Sequence, residues 1–360
     1  MQFLLPAFVS CIVTFGIVPF VIDLAHRWNL LDNPTRRYHP AHTHHGSIPR
    51  AGGVALLASI AVTILLYLPI TKLMIGTIAA LLLLTIVGLV DDRRDVNPYI
   101  RFGVGILATL LVIGAGAGIP FITNPLSGGT IDLTSWRVSF WLFGQHSILV
   151  WADLFAFVWL MWTMHIVGWS AGVDGQMPGF VSISAFVLGL LSLRYSIVDP
   201  SQLPVTVLAF IVSGAFLGFL PWNMYPQKIM PGWGGKTIAG LLLGLLGILS
   251  YGKLGTALLV LGIPTADAIY TLVRRVGRGK NPVLADRGHL HHRLLDIGWR
   301  RRRVALFYWG VSAILGAIAL TVTSQQKVFT LLLVTVLIGG FLLWLKYFWQ
   351  FSKRPDPDNG

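Results

Sequence analysis

The sequence predicts an all-α, polytopic membrane protein of about eleven transmembrane helices, with the N-terminus outside and the C-terminus cytoplasmic. Three observations carry this. Hydrophobic residues make up 55% of the 360 and charged residues 11%, whereas a soluble domain carries roughly 25% charged residues to keep its surface wet. Apolar stretches long enough for roughly 30 Å of hydrocarbon recur along the whole chain. The Lys and Arg residues fall almost entirely in alternate connections between those stretches.

In chain order the apolar runs lie at 3–25, 52–71, 73–90, 102–119, 148–169, 179–195, 204–221, 237–252, 254–273, 304–322 and 328–347. The first lacks a basic leading segment and a small-residue cleavage site, so it reads as a retained helix rather than a signal peptide. Only a short Gly-containing corner separates the eighth and ninth runs. Of the 27 basic residues, 22 occupy one set of alternate loops and the C-terminal end, and 5 the other. Basic loops stay cytoplasmic, which fixes the orientation, and an odd number of spans agrees with it. The chain thus reads as one transmembrane domain, 1–350, with cytoplasmic loops at 26–51, 91–101, 170–178, 222–236 and 274–303. A polar tail, 351–360, has nothing to order it. The long outer connection, 120–147, is rich in Gly, Ser and Trp and is expected to lie on the membrane surface.

The formal net charge is +13. With no soluble domain to carry a basic patch, this charge points to anionic lipid headgroups and not to nucleic acid. The single cysteine, Cys11, excludes an internal disulfide and a thiolate metal cluster. All 14 acidic residues are aspartates, and a carboxylate at a membrane helix asks for a reason.

Four inner loops hold candidate chemistry. The first runs from Asp32-Asn33-Pro34 through a His- and Arg-rich stretch to Ile48-Pro49-Arg50-Ala51-Gly52-Gly53. Guanidinium groups and a helix N-terminus both favour anions, and the same pattern also suits a plain positive-inside anchor. The second, Asp91-Asp92-Arg93-Arg94-Asp95, puts two adjacent carboxylates at a helix C-terminus, where the dipole already places negative charge. Adjacent residues diverge by about 100° on a helix, so the two acids suit different tasks: one a Mg²⁺ ion, the other a phosphate or a proton. A self-neutralising stop signal is the alternative. The third, Pro226 to Lys236, holds Lys228, Met230-Pro231-Gly232-Trp233-Gly234-Gly235 and Lys236, and opens a helix that could cradle phosphates. The fourth holds Asp286-Arg287-Gly288-His289-Leu290-His291-His292-Arg293. Helical spacing puts His289, His292 and Arg293 on one face, which suits a diphosphate, with a histidine zinc site as its rival.

At these loops the chain resembles the polyprenyl-phosphate N-acetylhexosamine-1-phosphate transferases, in the branch of the undecaprenyl-phosphate GlcNAc-1-phosphate transferases. The matching pieces, in family order over about residues 30–298, are Asp32 to His39 with Ile48-Pro49-Arg50-x-Gly52-Gly53, then Gly88-Leu-x-Asp91-Asp92 with Asp95, and Gly172-Val173-Asp174-Gly175. They continue with Phe219-Leu-Pro221-x-Asn223-x-Tyr225-Pro226, Pro264-x-x-Asp267, and Arg274-Arg275 through Asp286 to Leu295. The resemblance implies transfer of a HexNAc-1-phosphate, GlcNAc-1-phosphate first among them, from a UDP-sugar to undecaprenyl phosphate. UMP is released, and a cell-envelope glycan such as lipopolysaccharide is begun at the cytoplasmic face of the plasma membrane.

It also implies roles. Asp91, Asp92 and Asp174 are expected to be catalytic and to hold Mg²⁺, with Mn²⁺ as its substitute. Arg50, Asn223, Lys228, Lys236, Asp267, Asp286, Arg287, His289, His291, His292 and Arg293 are expected to bind substrate. The partners are polyprenyl phosphate, the UDP-sugar and membrane lipids, with a homodimer as the one protein assembly left open. Two stretches depart from the family pattern. Where the family has Asn-Ala-x-Asn-x-x-Asp-Gly-x-Asp-Gly, this chain reads from His165 to Gly175 and keeps only the second aspartate, Asp174. Where it has Gly-Asp-x-Gly-Ser, the chain reads Gly232-Trp233-Gly234-Gly235-Lys236. Two readings stand beside each other: a transferase with altered metal handling, and a chain that binds these ligands without transfer. A transporter, which would place its acids at mid-membrane, ranks last.

Overall fold

Hydrocarbon offers a backbone no hydrogen-bond partner, so each apolar run must pair its N–H and C=O groups within itself. The computed structural model describes residues 3–34, 46–124, 128–141, 145–250, 254–279 and 288–347, and each run expected from the sequence coincides with helix. These are α1 (Leu4–Arg27), α2 (Gly52–Tyr67), α3 (Lys72–Arg94), α4 (Pro98–Gly114), α5 (Val150–Trp169), α6 (Gln176–Ser196), α7 (Leu203–Asn223), α8 (Gly232–Leu249), α9 (Leu254–Val260), α10 (Gly262–Val276), α11 (Leu290–Asp296), α12 (Arg301–Thr321) and α13 (Ser324–Tyr347). Local signals set the ends. The Thr71 hydroxyl accepts from the Met74 N–H at 3.3 Å to start α3. The Asn97 side chain accepts from Tyr99 at 2.9 Å to start α4, with Pro98 in the first turn. Asp95, in the left-handed region at φ 53°, ends α3.

Eight of the helices among the described residues are long and apolar enough to cross a bilayer, and nine if α9 and α10 count as one span. α2 and α4, at 16 and 17 residues, occupy the second and fourth expected spans. At 1.5 Å per residue they reach about 25 Å, a little under the roughly 30 Å of hydrocarbon. The ninth span, expected to be continuous, is instead broken, with α9 and α10 bent by 83°. Pro264 has no N–H to give the carbonyl of Val260, and Gly262 adds backbone freedom beside it, so the helix fails there.

α8 lies at the centre, packed against α5, α3 and α2, while α7 packs between α1 and α6. Small polar groups stitch the helices. Ser10 and Ser59 meet at 3.2 Å, Ser182 and Ser213 at 3.2 Å, and the Trp159 indole donates to the Gly244 carbonyl at 2.8 Å. α13 is the most peripheral helix and turns Phe329, Leu332, Leu333, Val336 and Leu337 outward. Such faces suit lipid, which is as apolar as they are.

The all-α expectation needs one correction. Among the described residues there are three small antiparallel sheets: β1 (Leu31–Asp32) with β2 (Ile48–Pro49), β3 (Phe121–Thr123) with β4 (Thr130–Asp132), and β5 (Arg137–Trp141) with β6 (Gln145–Leu149). The outer connection therefore folds as two hairpins. Its β-branched and aromatic residues suit a pleated surface, and its exposed Trp136 and Trp141 suit a headgroup layer. The first sheet matters for the site, because pairing Asp32 with Ile48 brings Asp32 beside Arg50.

Candidate active site

Three helix ends meet at one vertex, and glycine makes the meeting close. A Cβ on Gly53 would lie 2.8 Å from the Gly235 nitrogen, and one on Gly88 would lie 2.7 Å from the Gly234 Cα. The start of α2, the last turns of α3 and the first turn of α8 thus touch backbone to backbone. Hydrogen bonds fix the join: Met230 N–H donates to Pro49 at 2.8 Å, and Gly52 and Gly53 donate to Met230 and Pro231 at 3.0 Å each.

Around this vertex the expected acids and cations assemble. The Arg50 guanidinium lies 2.9 Å from Asp92 and 3.7 Å from Asp32. Asp92 also accepts the Trp233 N–H at 3.3 Å, capping the N-terminus of α8, where the dipole favours a carboxylate. Burial works against the Arg50 charge. Asp92, Asp32, Asp91 and Asp95 together outweigh it and push the guanidinium above its already high ordinary value. Asp91, fully buried, accepts the Val96 N–H at 3.0 Å and pairs with Arg101 at 3.4 Å. The two acids do diverge, as adjacent helical residues must. Lys236, partly buried one turn into α8, lies in electrostatic reach of Asp92, Asp32 and Asp91 on one side and of His291 on the other.

The histidines form a layer. Asp267, on α10, accepts from His289 Nδ1 at 2.8 Å and from the Leu290 N–H at 2.8 Å, which anchors the start of α11. The His289 and His291 rings stack at 5.8 Å and 4°, and His292 follows at 4.3 Å. Trp169 continues the column at 6.1 Å from His289. His291 packs directly on Gly172, where a Cβ would overlap its ring. Burial first, then His292, His289 and Lys236, hold His291 well below the ordinary imidazole range.

The remaining expected residues divide. Asp174 pairs with Arg301 at 3.5 Å. Asn223 accepts from the Gly175 N–H at 3.1 Å and donates to Ile229 at 2.8 Å and Gln227 at 3.1 Å. Its amide braces two inner loops. Arg293 donates to the carbonyls of Gly288 and Leu342 at 3.2 and 2.8 Å and lies over Tyr270, so it ties α11 to α13. Lys228 lies over the Trp222 ring at 5.1 Å. Asp286 and Arg287 lie outside the described residues. Arg101, Arg301 and Trp169 were not singled out from the sequence. Two of them are basic residues in helix first turns, which the positive-inside pattern absorbs without remark.

Asp91, Asp92 and Asp174 do not form a metal-ligating group. Among the described residues no group of three His, Cys, Asp or Glu side chains has the arrangement to hold a metal ion, and each of the three acids is matched by an arginine. A donor set neutralised in this way does not fit a resident divalent ion.

Residues 74–251 match the family described as glycosyl transferase family 4. The chain is 30% identical over 330 residues to a decaprenyl-phosphate N-acetylglucosaminephosphotransferase of Mycolicibacterium smegmatis, covering 83% of this chain and 77% of the relative. It is 23% identical to a probable undecaprenyl-phosphate N-acetylglucosaminyl 1-phosphate transferase of Bacillus subtilis, covering 92% and 87%. It is 25% identical to the undecaprenyl-phosphate alpha-N-acetylglucosaminyl 1-phosphate transferase of Escherichia coli O157:H7, covering 93% and 88%. With its apolar helices and these relatives together, the chain belongs to glycosyl transferase family 4, as a multi-pass membrane enzyme of the polyprenyl-phosphate N-acetylhexosamine-1-phosphate transferase superfamily.

Proposed function

We propose that the chain transfers GlcNAc-1-phosphate, or a close HexNAc-1-phosphate, from a UDP-sugar to a polyprenyl phosphate of the undecaprenyl class, releasing UMP and beginning a cell-envelope glycan. The observation that carries this is the acid pair at the end of α3. Asp92, set by Arg50 at 2.9 Å, faces the N-terminus of α8, at the helix end where a lipid phosphate would lie. The names of the relatives supply the substrate class. In the step, an oxygen of the lipid phosphate attacks the β-phosphorus of the UDP-sugar, the one bonded to the sugar oxygen. A P–O bond forms there as the bond to UMP breaks, and UMP leaves with the electron pair. Asp92 orients the lipid phosphate or takes its proton. Asp267 fixes the His289 ring against the donor, and the surrounding cations stabilise charge in a low dielectric.

The same reading has one transmembrane domain of eleven spans in the plasma membrane, N-terminus outside and C-terminus inside, with the site on the cytoplasmic face. The 22-to-5 division of basic residues supports it. In a Cys11→Ser background, Trp136→Cys and Arg300→Cys should label from opposite faces of sealed vesicles, and labelling of both from one face would overturn the orientation. Activity is tested with purified protein, radiolabelled UDP-GlcNAc and undecaprenyl phosphate. A lipid-linked label with release of UMP is expected, and no lipid product at any divalent-ion concentration would overturn the proposal.

A further inference from the structure

The bare glycine contacts of α8 have a chemical result. Gly234 and Gly235 press the first turn of α8 against α3 and α2, which carries Lys236 to within electrostatic reach of both the acid pair and His291. Among the described residues its ammonium makes no hydrogen bond and no ion pair within 4 Å. An ammonium has three donors, and on this partly buried side chain they are open to a ligand. Within its electrostatic reach, the Nδ1 of His291 is buried with no hydrogen-bond partner among the described residues. The other cations of this vertex are engaged. Arg50 is shared by Asp92 and Asp32, and Arg101 is held by Asp91. A divalent ion approaching here meets carboxylates that arginines have neutralised and an ammonium that repels it. A phosphate meets two polar groups that lack partners, one of them charged.

We infer that Lys236 is the resident cation of the site: its ammonium binds the phosphate of the incoming nucleotide, with His291 beside it, so that nucleotide binding requires no divalent metal ion. This rests on the transferase reading above and deepens it by naming what receives the phosphate. A Lys ammonium is a compact point charge with rotatable donors, suited to a phosphate that must be held and then released as UMP.

The test uses the full chain in lipid nanodiscs, dialysed against EDTA, with radiolabelled UMP and UDP-GlcNAc as probes in equilibrium dialysis. Wild-type affinity should change by less than roughly threefold when excess Mg²⁺ is restored, about half a tenfold step in binding free energy. Lys236→Met should weaken metal-free binding by roughly tenfold to a hundredfold, the scale of a lost charge-assisted hydrogen bond. Lys236→Arg should retain most of it. Wild-type binding that appears only with Mg²⁺ overturns the inference and leaves the transferase reading standing. Unchanged affinity in a well-folded Lys236→Met overturns it as well. If Lys236→Met does not fold, the wild-type comparison with and without EDTA decides. Failure of wild type to bind either nucleotide under any condition overturns the transferase reading, and this inference with it.

Discussion

Arg50 reaches Asp92 at 2.9 Å across the junction of α2 and α3, and both side chains are largely withdrawn from water. A buried pair of this kind is held less by its own attraction than by the penalty of breaking it. Arg50→Gln leaves Asp92 without its guanidinium and should destabilise the protein by about 3–5 kcal/mol, read as a lower unfolding temperature in detergent, with transfer lost. Arg50→Lys keeps the charge without the fork that spans Asp32 and Asp92, and should fall between the two.

Asp92→Asn keeps the size and can still accept the Trp233 N–H, but removes the negative charge. Transfer should drop by roughly 10²–10⁴-fold, the range of a lost positioned acid or base, while nucleotide binding measured by dialysis persists. Full activity in the double variant Asp91→Asn, Asp92→Asn would remove the acid pair from the mechanism.

The neutral His291 makes stability depend on pH with a definite sign. Its folded value lies well below the ordinary range, so the unfolded chain gains a proton as pH falls through about 6.5 while the folded chain does not. The penalty is absent above about pH 6.5 and grows as pH falls towards the folded value. Unfolding temperature should therefore decline from about pH 7 to about pH 5, and His291→Gln should flatten that decline. An equal slope in the variant would assign the pH effect to other groups.

Asp267 acts through His289. Asp267→Ala removes the acceptor of both the His289 ring and the Leu290 N–H, each buried. The start of α11 should loosen, with donor affinity down by about tenfold, since one unmade buried hydrogen bond costs about 1–3 kcal/mol. Faster hydrogen exchange confined to residues 288–296 would separate this from global unfolding.

Much of the architecture could be read from sequence because hydrocarbon imposes one rule on every segment. The apolar runs are helices, and their ends differ from expectation by only a few residues. The break at Leu261 escaped because hydropathy is continuous through it, although Gly262 and Pro264 carried the signal. The site was half legible. Asp91, Asp92, Arg50 and Asp267 stand in short motifs whose chemistry is local. The partners Arg101 and Arg301 are ten and 127 positions from the acids they meet, and only tertiary packing reveals them. The hydrogen bonds of Asn223 to Gln227 and Ile229, and of Arg293 to the carbonyls of Gly288 and Leu342, are contacts that no motif shows.

Gly88 and Gly234 touch with no side chain between their helices; a Cβ at either would sit 2.7 Å from the Cα of its partner or 3.1 Å from the Leu84 carbonyl oxygen. Elsewhere in a packed interior, lineages drift by trading a large residue for a small one across a contact. Here there is nothing to trade. A methyl group at Gly88 would strike backbone outright, one at Gly234 would have to push the Leu84 carbonyl aside, and both together overlap further. The neighbours Trp233 and Lys236 have no such restriction, since their side chains leave the contact. Substitution at these neighbours can therefore change the chemistry around the vertex, while the helix contact that places it tolerates no added side chain at Gly88.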